Sequence, residues 1–374
     1  MKKRGFILIA AVLFVLLLGA APILAATSFP IYLDGKQLTV DSVTEDGITT
    51  IKLRQFAETL GFDVDFKDGK ILLTSNKKEE PKESLKITTL AENKNDDHPH
   101  LMNEFGFSAY IEYGDDRIIF DTSKEGGFLT NAKTLNIDLG KADALVLSHA
   151  HYDHCGGVIP YFNAYDPSGK ILYVKDCFFD LADNKYYHDP IGQKFDFTDG
   201  TPGYFPVGIN FSKADLKAKN VTVEYINADR MRIGKNVTLY GNFHLSSNDE
   251  MAPNMLVKDN GQYKLDDFDE EVALAIDTNK GLVIVSGCSH TGILNIVNSI
   301  QERSGKKVYA VIGGFHLLDA SEEKIQSTID RFKELGVEEI GLSHCTGPKA
   351  TQMFQEQMPD RVFINETGSI FEVK

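Results

Sequence analysis

Cysteine is scarce in this chain: four in 374 residues, at Cys155, Cys177, Cys288 and Cys345. That is too few for a scaffold built on disulfides. Three of the four stand beside histidines (His154, His290, His344). A Cys155–Cys345 bridge and buried free thiols both fit the sequence. Positive charge is also short, 39 basic residues against 54 acidic, for a formal charge of −15. An acidic protein is poorly suited to displacing the counterions of a nucleic acid, which argues against general nucleic-acid binding. No repeat of fixed period is evident. What the chain does have is apolar side chain, 42% of its residues, enough for one large domain and a small one.

Residues 1–26 are expected to lie outside the fold. Lys2-Lys3-Arg4 precede an apolar stretch from Gly5 to Ala21, and Pro22 and Leu24-Ala25-Ala26 follow. That order of charge, apolar core and small residues is a secretory signal peptide, which makes the protein secreted or cell-surface. The apolar stretch is long for a signal core, so an uncleaved membrane anchor is the alternative. No cysteine lies near the exit, which argues against lipoprotein processing.

Residues 27–75 read as a separate small α+β module. A hairpin with its turn at Asp34-Gly35 comes first. Leu53, Phe56, Ala57 and Leu60 then recur at helical spacing, and Gly61 ends the helix. Val64 to Phe66 and Ile71 to Thr74 close the unit as a second hairpin around Lys67-Asp68-Gly69. The segment Leu53 to Gly61 resembles the stalk module named after the N-terminal domain of copper amine oxidases. Lys52 stands where that pattern usually has proline, and Phe66 where it often has tryptophan. The module holds no His or Cys, so no copper is implied; a spacer or cell-envelope attachment role is. Residues 76–86 form a charged linker and residues 87–374 the main domain.

The main domain carries the most informative run, Leu147-Ser148-His149-Ala150-His151-Tyr152-Asp153-His154-Cys155-Gly156-Gly157, straight after the apolar segment Ala144 to Leu147. Four metal-ligand side chains stand at the mouth of a strand, on a loop the glycines let turn sharply. Neutral imidazoles and an ionised carboxylate are donors that a divalent cation such as zinc prefers. Three more histidines follow predicted strands. His290 comes after Leu282 to Val285, His316 after Val308 to Ile312, and His344 after Ile340 to Leu342.

The His-x-His-x-Asp-His run resembles the signature of the metallo-β-lactamase superfamily, over about residues 87–374. The resemblance implies an α/β fold, an αββα sandwich in which two β-sheets pack face to face with helices outside and metals at one edge. It also implies two divalent metal ions. We expect His149, His151 and His290 around one and Asp153, His154 and His344 around the other, about 3.5–4 Å apart with a bridging hydroxide as nucleophile. Asp153 is then the catalytic residue as well as a ligand, because it orients that nucleophile. The superfamily commonly has Gly-Asp or Gly-Cys where this chain has Gly287-Cys288, so Cys288 replaces or joins His290 as a ligand. His290 is preferred, because imidazole suits most first-row metals whereas thiolate favours zinc. Zinc is the leading metal, with iron or manganese as alternatives. His244 is a weaker first-site alternative, since the polar run Ser246 to Glu250 marks an exposed loop.

Five segments narrow the resemblance: Phe120 to Ser123, Ser148 to Gly157, Gly287 to Ile293, Gly313 to Leu317 and His344 to Gly347. Together they are similar to the branch named for a methanopterin-precursor synthase, which joins a dihydropterin to a ribofuranosylaminobenzene phosphate. Most members of that branch are called metal-dependent hydrolases. Ser123 departs from the usual glycine, and an export signal departs from a cytoplasmic pterin assembly.

Substrate binding is assigned to His316 and to Ser289, Thr291 and Thr346, which stand at two predicted helix starts. Free N–H groups there would favour phosphate or carboxylate; ordinary helix capping is the alternative. The irregular segment from Asp176 to Tyr204 is rich in aromatic residues and stands where the superfamily places a substrate-covering insertion. The acidic run Asp266 to Glu271 reads as a solvated turn before a strand, with calcium binding as the lesser alternative. The expected function is an exported dinuclear-metal hydrolase of a small anionic ester. A synthase-like transferase and a non-catalytic metal-binding surface protein are the alternatives.

Overall fold

The computed structural model describes residues 31–33, 36–38, 41–45, 48–59, 62–67, 70–75, 84–191, 200–245 and 254–374. The signal-peptide segment, the turns at Asp34-Gly35 and Asp68-Gly69, and Phe195 and Phe197 lie outside the described residues. The chain divides into two compact units, Met1–Pro81 and Lys82–Lys374.

In the first unit the described residues form the helix Leu53–Thr59 and three antiparallel pairs. The pairs are Ile31–Leu33 with Lys36–Leu38, Ser42–Glu45 with Ile48–Ile51, and Phe62–Lys67 with Lys70–Ser75. The middle pair escapes a reading of hydrophobic alternation because Val43 and Ile48 are both exposed.

The second unit is a four-layer sandwich. One seven-stranded sheet runs in the order Thr222–Ile226, Ile171–Lys175, Ala144–Val146, Asp116–Phe120, Ser108–Tyr113, Leu85–Ala91, Ile370–Val373. The other runs Arg230–Arg232, Val237–Tyr240, Ala273–Thr278, Gly281–Ser286, Val308–Gly314, Glu339–Ser343, Val362–Ile364. Strand periodicity explains the layers. Ile118, Phe120, Ala144 and Val146 share one core with Leu274, Ile276, Val283 and Val285 of the opposite sheet. The alternate residues Ile119 and Leu145 face outward and pack with Phe128 and Tyr161 of the helices Gly127–Thr134 and Val158–Ala164. On the far side Ile284, Val311 and Ile340 pack under the helices Ile293–Ser304, Glu322–Leu335 and Pro348–Gln357. Central strands buried on both faces read as unbroken apolar runs, which is why they were legible.

Two boundaries differ from expectation. Leu85 and Lys86 are not linker: they pair with Tyr113, Val373 and Glu372, and Leu85 is fully buried. The segment 176–204 is not wholly irregular. Lys185–His188 and Tyr204–Pro206 join Met255–Asp259 and Gln262–Leu265 in an antiparallel four-stranded sheet.

Candidate metal centre

The His-rich loop leaves the strand Ala144–Val146 and enters a single helical turn, Tyr152–Cys155. Asp121, at the end of the neighbouring strand, organises it. Its Oδ1 accepts the Ser148 backbone N–H at 2.7 Å, and its Oδ2 accepts the Ser148 hydroxyl at 2.7 Å and meets His154 Nδ1 at 2.6 Å. Ser148 Oγ in turn lies 2.8 Å from His149 Nδ1. One carboxylate thus fixes two imidazoles, leaving the Nε2 of each pointed away from it. Gly156 and Gly157 serve close approach and not a sharp turn. Both have ordinary right-handed helical dihedrals, but a Cβ on Gly156 would lie 1.7 Å from the Lys124 carbonyl oxygen, and one on Gly157 2.3 Å from that of Thr122.

The distant histidines converge on this loop. Ring centroids of His149, His151 and His290 form a near-equilateral triangle with sides of 4.6, 4.7 and 4.7 Å. Their donor atoms lie within 4.8 Å of one another, and so do those of Asp153, His154 and His344. His344 Nε2 is 3.2 Å from Asp153 Oδ2, and its Nδ1 is 3.1 Å from Asn93 Oδ1. Cys288 stands between the sets. Its sulfur is 3.1 Å from His154 Nε2 and shares the 4.8 Å limit with His149 and His154, and again with His344 and Cys345.

Burial, then the neighbouring imidazoles, holds His149 and His290 well below the usual histidine range; burial does the same for His151. These rings are neutral at pH 7 and carry free lone pairs. Burial would raise the Asp153 carboxyl, but His154 and the hydrogen bond from His344 hold it well below the usual carboxylate range. His149 Nε2 and both ring nitrogens of His290 are buried with no hydrogen-bond partner. Orphaned buried nitrogens are costly in a protein interior. Their convergence beside an ionised carboxylate and a thiol is the donor set of a divalent cation, so these residues fit one.

Of the donors, His151, Asp153, Cys288, His290 and His344 line a cavity of about 200 Å³, together with Phe105, Tyr152, Tyr187, Val207, Met255 and Leu318. His316, Asn93 and Asp319 supply polar groups to it. Burial, then His344, lowers His316 to about 4, so it is neutral and can both donate and accept. Ser289, Thr291 and Thr346 do not line this cavity, and their hydroxyls turn to protein partners. The Ser289 hydroxyl donates to the Gly314 carbonyl at 2.7 Å, Thr291 to Glu271 at 2.6 Å, and Thr346 to the Ser343 carbonyl at 2.7 Å. They are not helix caps either, since Gly292 and Gly347 precede the two helices. His244 is exposed, with its N–H on Ser299, and takes no part in the cluster. All four cysteines are free. Cys155 is turned toward the His149 carbonyl and Cys345 toward that of Cys288, so the Cys155–Cys345 bridge is not formed.

Residues 102–204 match the Metallo-beta-lactamase superfamily. Similarity extends further in a named relative, 7,8-dihydropterin-6-methyl-4-(beta-D-ribofuranosyl)-aminobenzene-5'-phosphate synthase of Methanocaldococcus jannaschii. It is 35% identical over 303 residues, covering 74% of this chain and 93% of the relative. The chain belongs to the metallo-beta-lactamase superfamily. A solved structure described as a metal-dependent hydrolase of the beta-lactamase superfamily matches with a TM-score of 0.64 at 30% identity, over 78% of this chain and 99% of its own. The chain is therefore an enzyme of the metal-dependent hydrolase family, and its fold implies divalent metal binding.

Carboxylates of the run Asp266 to Glu271 stand behind the cluster. The acidic run is solvated only in part: Asp267 and Asp269 are exposed, whereas Asp266, Glu270 and Glu271 are buried. Glu271 accepts the backbone N–H groups of His290 and Thr291, each at 2.7 Å. That carboxylate occupies N–H groups at the first of the two helix starts expected to bind a substrate anion. Burial raises its pKa to about 7 even against those hydrogen bonds. The only signal for these roles is the spacing of carboxylates around Phe268, which is common in exposed loops too.

Proposed function

We propose that this chain is a two-metal hydrolase of a small ester carrying a phosphate or carboxylate group. The observation that carries this reading is that two adjacent donor sets both reach one apolar-walled cavity, the first through His151 and His290 and the second through Asp153 and His344. His149, His151 and His290 would hold one cation; Asp153, His154 and His344, with Cys288 beside them, would hold the second. When bound, such cations polarise the electrophile and lower the pKa of water toward neutrality. Imidazole, carboxylate and thiol together suit zinc; iron or manganese suits the His and Asp donors alone. Asp153, kept ionised by His154 and His344, accepts a hydrogen bond from the attacking water and so orients it. The aromatic side chains of Phe105, Tyr152 and Tyr187 would suit an apolar or aromatic portion of the substrate. Among the described residues no Lys or Arg lines the cavity, so the substrate's negative charge is directed to the cations.

Hydrolysis of p-nitrophenyl phosphodiesters and carboxylate esters by zinc-loaded protein tests this. Turnover lost in His151→Ala supports it; equal turnover in that variant contradicts it. The 35% identical synthase favours a second reading, group transfer at the same centre. Product analysis with a pterin-like acceptor separates the two. The residue order of 1–26 supports export, with residues 27–75 as a spacer at the cell envelope; mass spectrometry of secreted protein beginning after Ala26 tests it.

A further inference from the structure

We infer that Lys185 is a positioning residue of the metal centre, clamping the loop that carries His149 and His151 to the four-stranded sheet that walls the cavity. The inference rests on the metal reading above but concerns a residue outside either donor set. Lys185 opens the strand Lys185–His188, whose Tyr187 lines the cavity. Its side chain is 3% exposed, and its ammonium pairs with Asp266 and, at 2.8 Å, with Glu270 Oε1. The same Glu270 oxygen accepts the backbone N–H of Ala150 at 3.3 Å, between the two histidines of the loop. The ammonium also lies 4.8 Å from the centroid of Phe268, whose ring stacks on His290. One buried cation thus reaches all three imidazoles of the first donor set: His149 and His151 through Glu270 and the loop backbone, His290 through Phe268.

Burying one ammonium and two carboxylates is costly, and an isolated buried charge more so. Removing the cation leaves Asp266 and Glu270 facing each other, which frees Glu270 from Ala150 and slackens the loop. Partners outside the ligand shell typically change metal affinity 10–100-fold.

The test is cobalt affinity of the full chain, measured by competition with a chromophoric chelator, with the visible absorption of bound cobalt as a second readout. Lys185→Met is expected to weaken binding about 10–100-fold and to shift the cobalt bands. Glu270→Gln keeps an oxygen for Ala150 at nearly constant volume, and is expected to weaken binding about 10-fold. A merely structural role would lower the melting temperature of the metal-free protein while leaving cobalt affinity and spectrum as in the wild type, and that result overturns the inference. If Lys185→Met does not fold, Glu270→Gln decides it: unchanged affinity and spectrum overturn the inference, weakened binding upholds it. Wild-type protein that binds no cobalt overturns the metal reading itself, and the clamp with it.

Discussion

The ring of Phe268 lies flat on that of His290, with centroids 4.1 Å apart and planes 4° from parallel. Phe268 is 1% exposed and belongs to the segment linking the covering sheet to the second large sheet. Replacing it opens a cavity directly behind a donor imidazole. Phe268→Ala is expected to cost about 3–5 kcal/mol of stability, read by urea unfolding. A loss below about 1 kcal/mol would show that the stack carries no packing energy.

Asp121 serves two imidazoles at once, through His154 Nδ1 directly and through Ser148 to His149. Asp121→Asn replaces the oxygen facing His154 or Ser148 with a donor, or weakens it as an acceptor. We expect metal affinity to fall about 10–100-fold in titration calorimetry with zinc, with the fold retained. Wild-type affinity in this variant would remove Asp121 from the account.

Stability should carry the signature of Asp266. Burial, then the Glu270 charge, raises its carboxyl to about 6 in spite of Lys185. Its unfolded value is near 4, so between about pH 4 and 6 the folded protein holds more protons than the unfolded chain, and stability falls as pH rises. Asp266→Asn cannot titrate. Relative to the wild type, its stability is expected to improve by about 1–3 kcal/mol from pH 4 to pH 7. Denaturant unfolding at both pH values measures the difference; a gap that stays constant would contradict it.

Gly156→Ala should fail for want of space and not of conformational freedom. A Cβ there meets the Lys124 carbonyl, whose chain is tied down by the hydrogen bond from Gly156 N–H to the Ser123 carbonyl at 2.9 Å. The expected result is a loss of about 3 kcal/mol or more, seen in the thermal midpoint. An unchanged midpoint would mean that the backbone moves aside freely.

The convergence of the histidines was legible because each follows a mostly apolar strand, and strands buried on both faces are the most legible elements of this fold. The sequence did not show what holds them. Asp266, Glu270 and Glu271 read as solvated because carboxylates usually are. Their burial depends on Lys185, which is 81 residues from Asp266 in the chain, and on the backbone of His290 and Thr291. Ser289, Thr291 and Thr346 misled for the converse reason. Their hydroxyls stand beside donor histidines in the sequence yet turn to the Gly314 carbonyl, Glu271 and the Ser343 carbonyl. The glycines of the His-rich loop were read for turning, whereas tertiary contact with Lys124 and Thr122 explains them. In each case the deciding partner lies far off in the chain, where local pattern carries no information.

Anomalous scattering at metal absorption edges, from crystals of protein purified without chelators, tests the central claim most directly. The account predicts two peaks in each chain, one bonded to His149, His151 and His290 and one to Asp153, His154 and His344. Crystals with no anomalous peak at these side chains, or with metal bound only elsewhere, would contradict it.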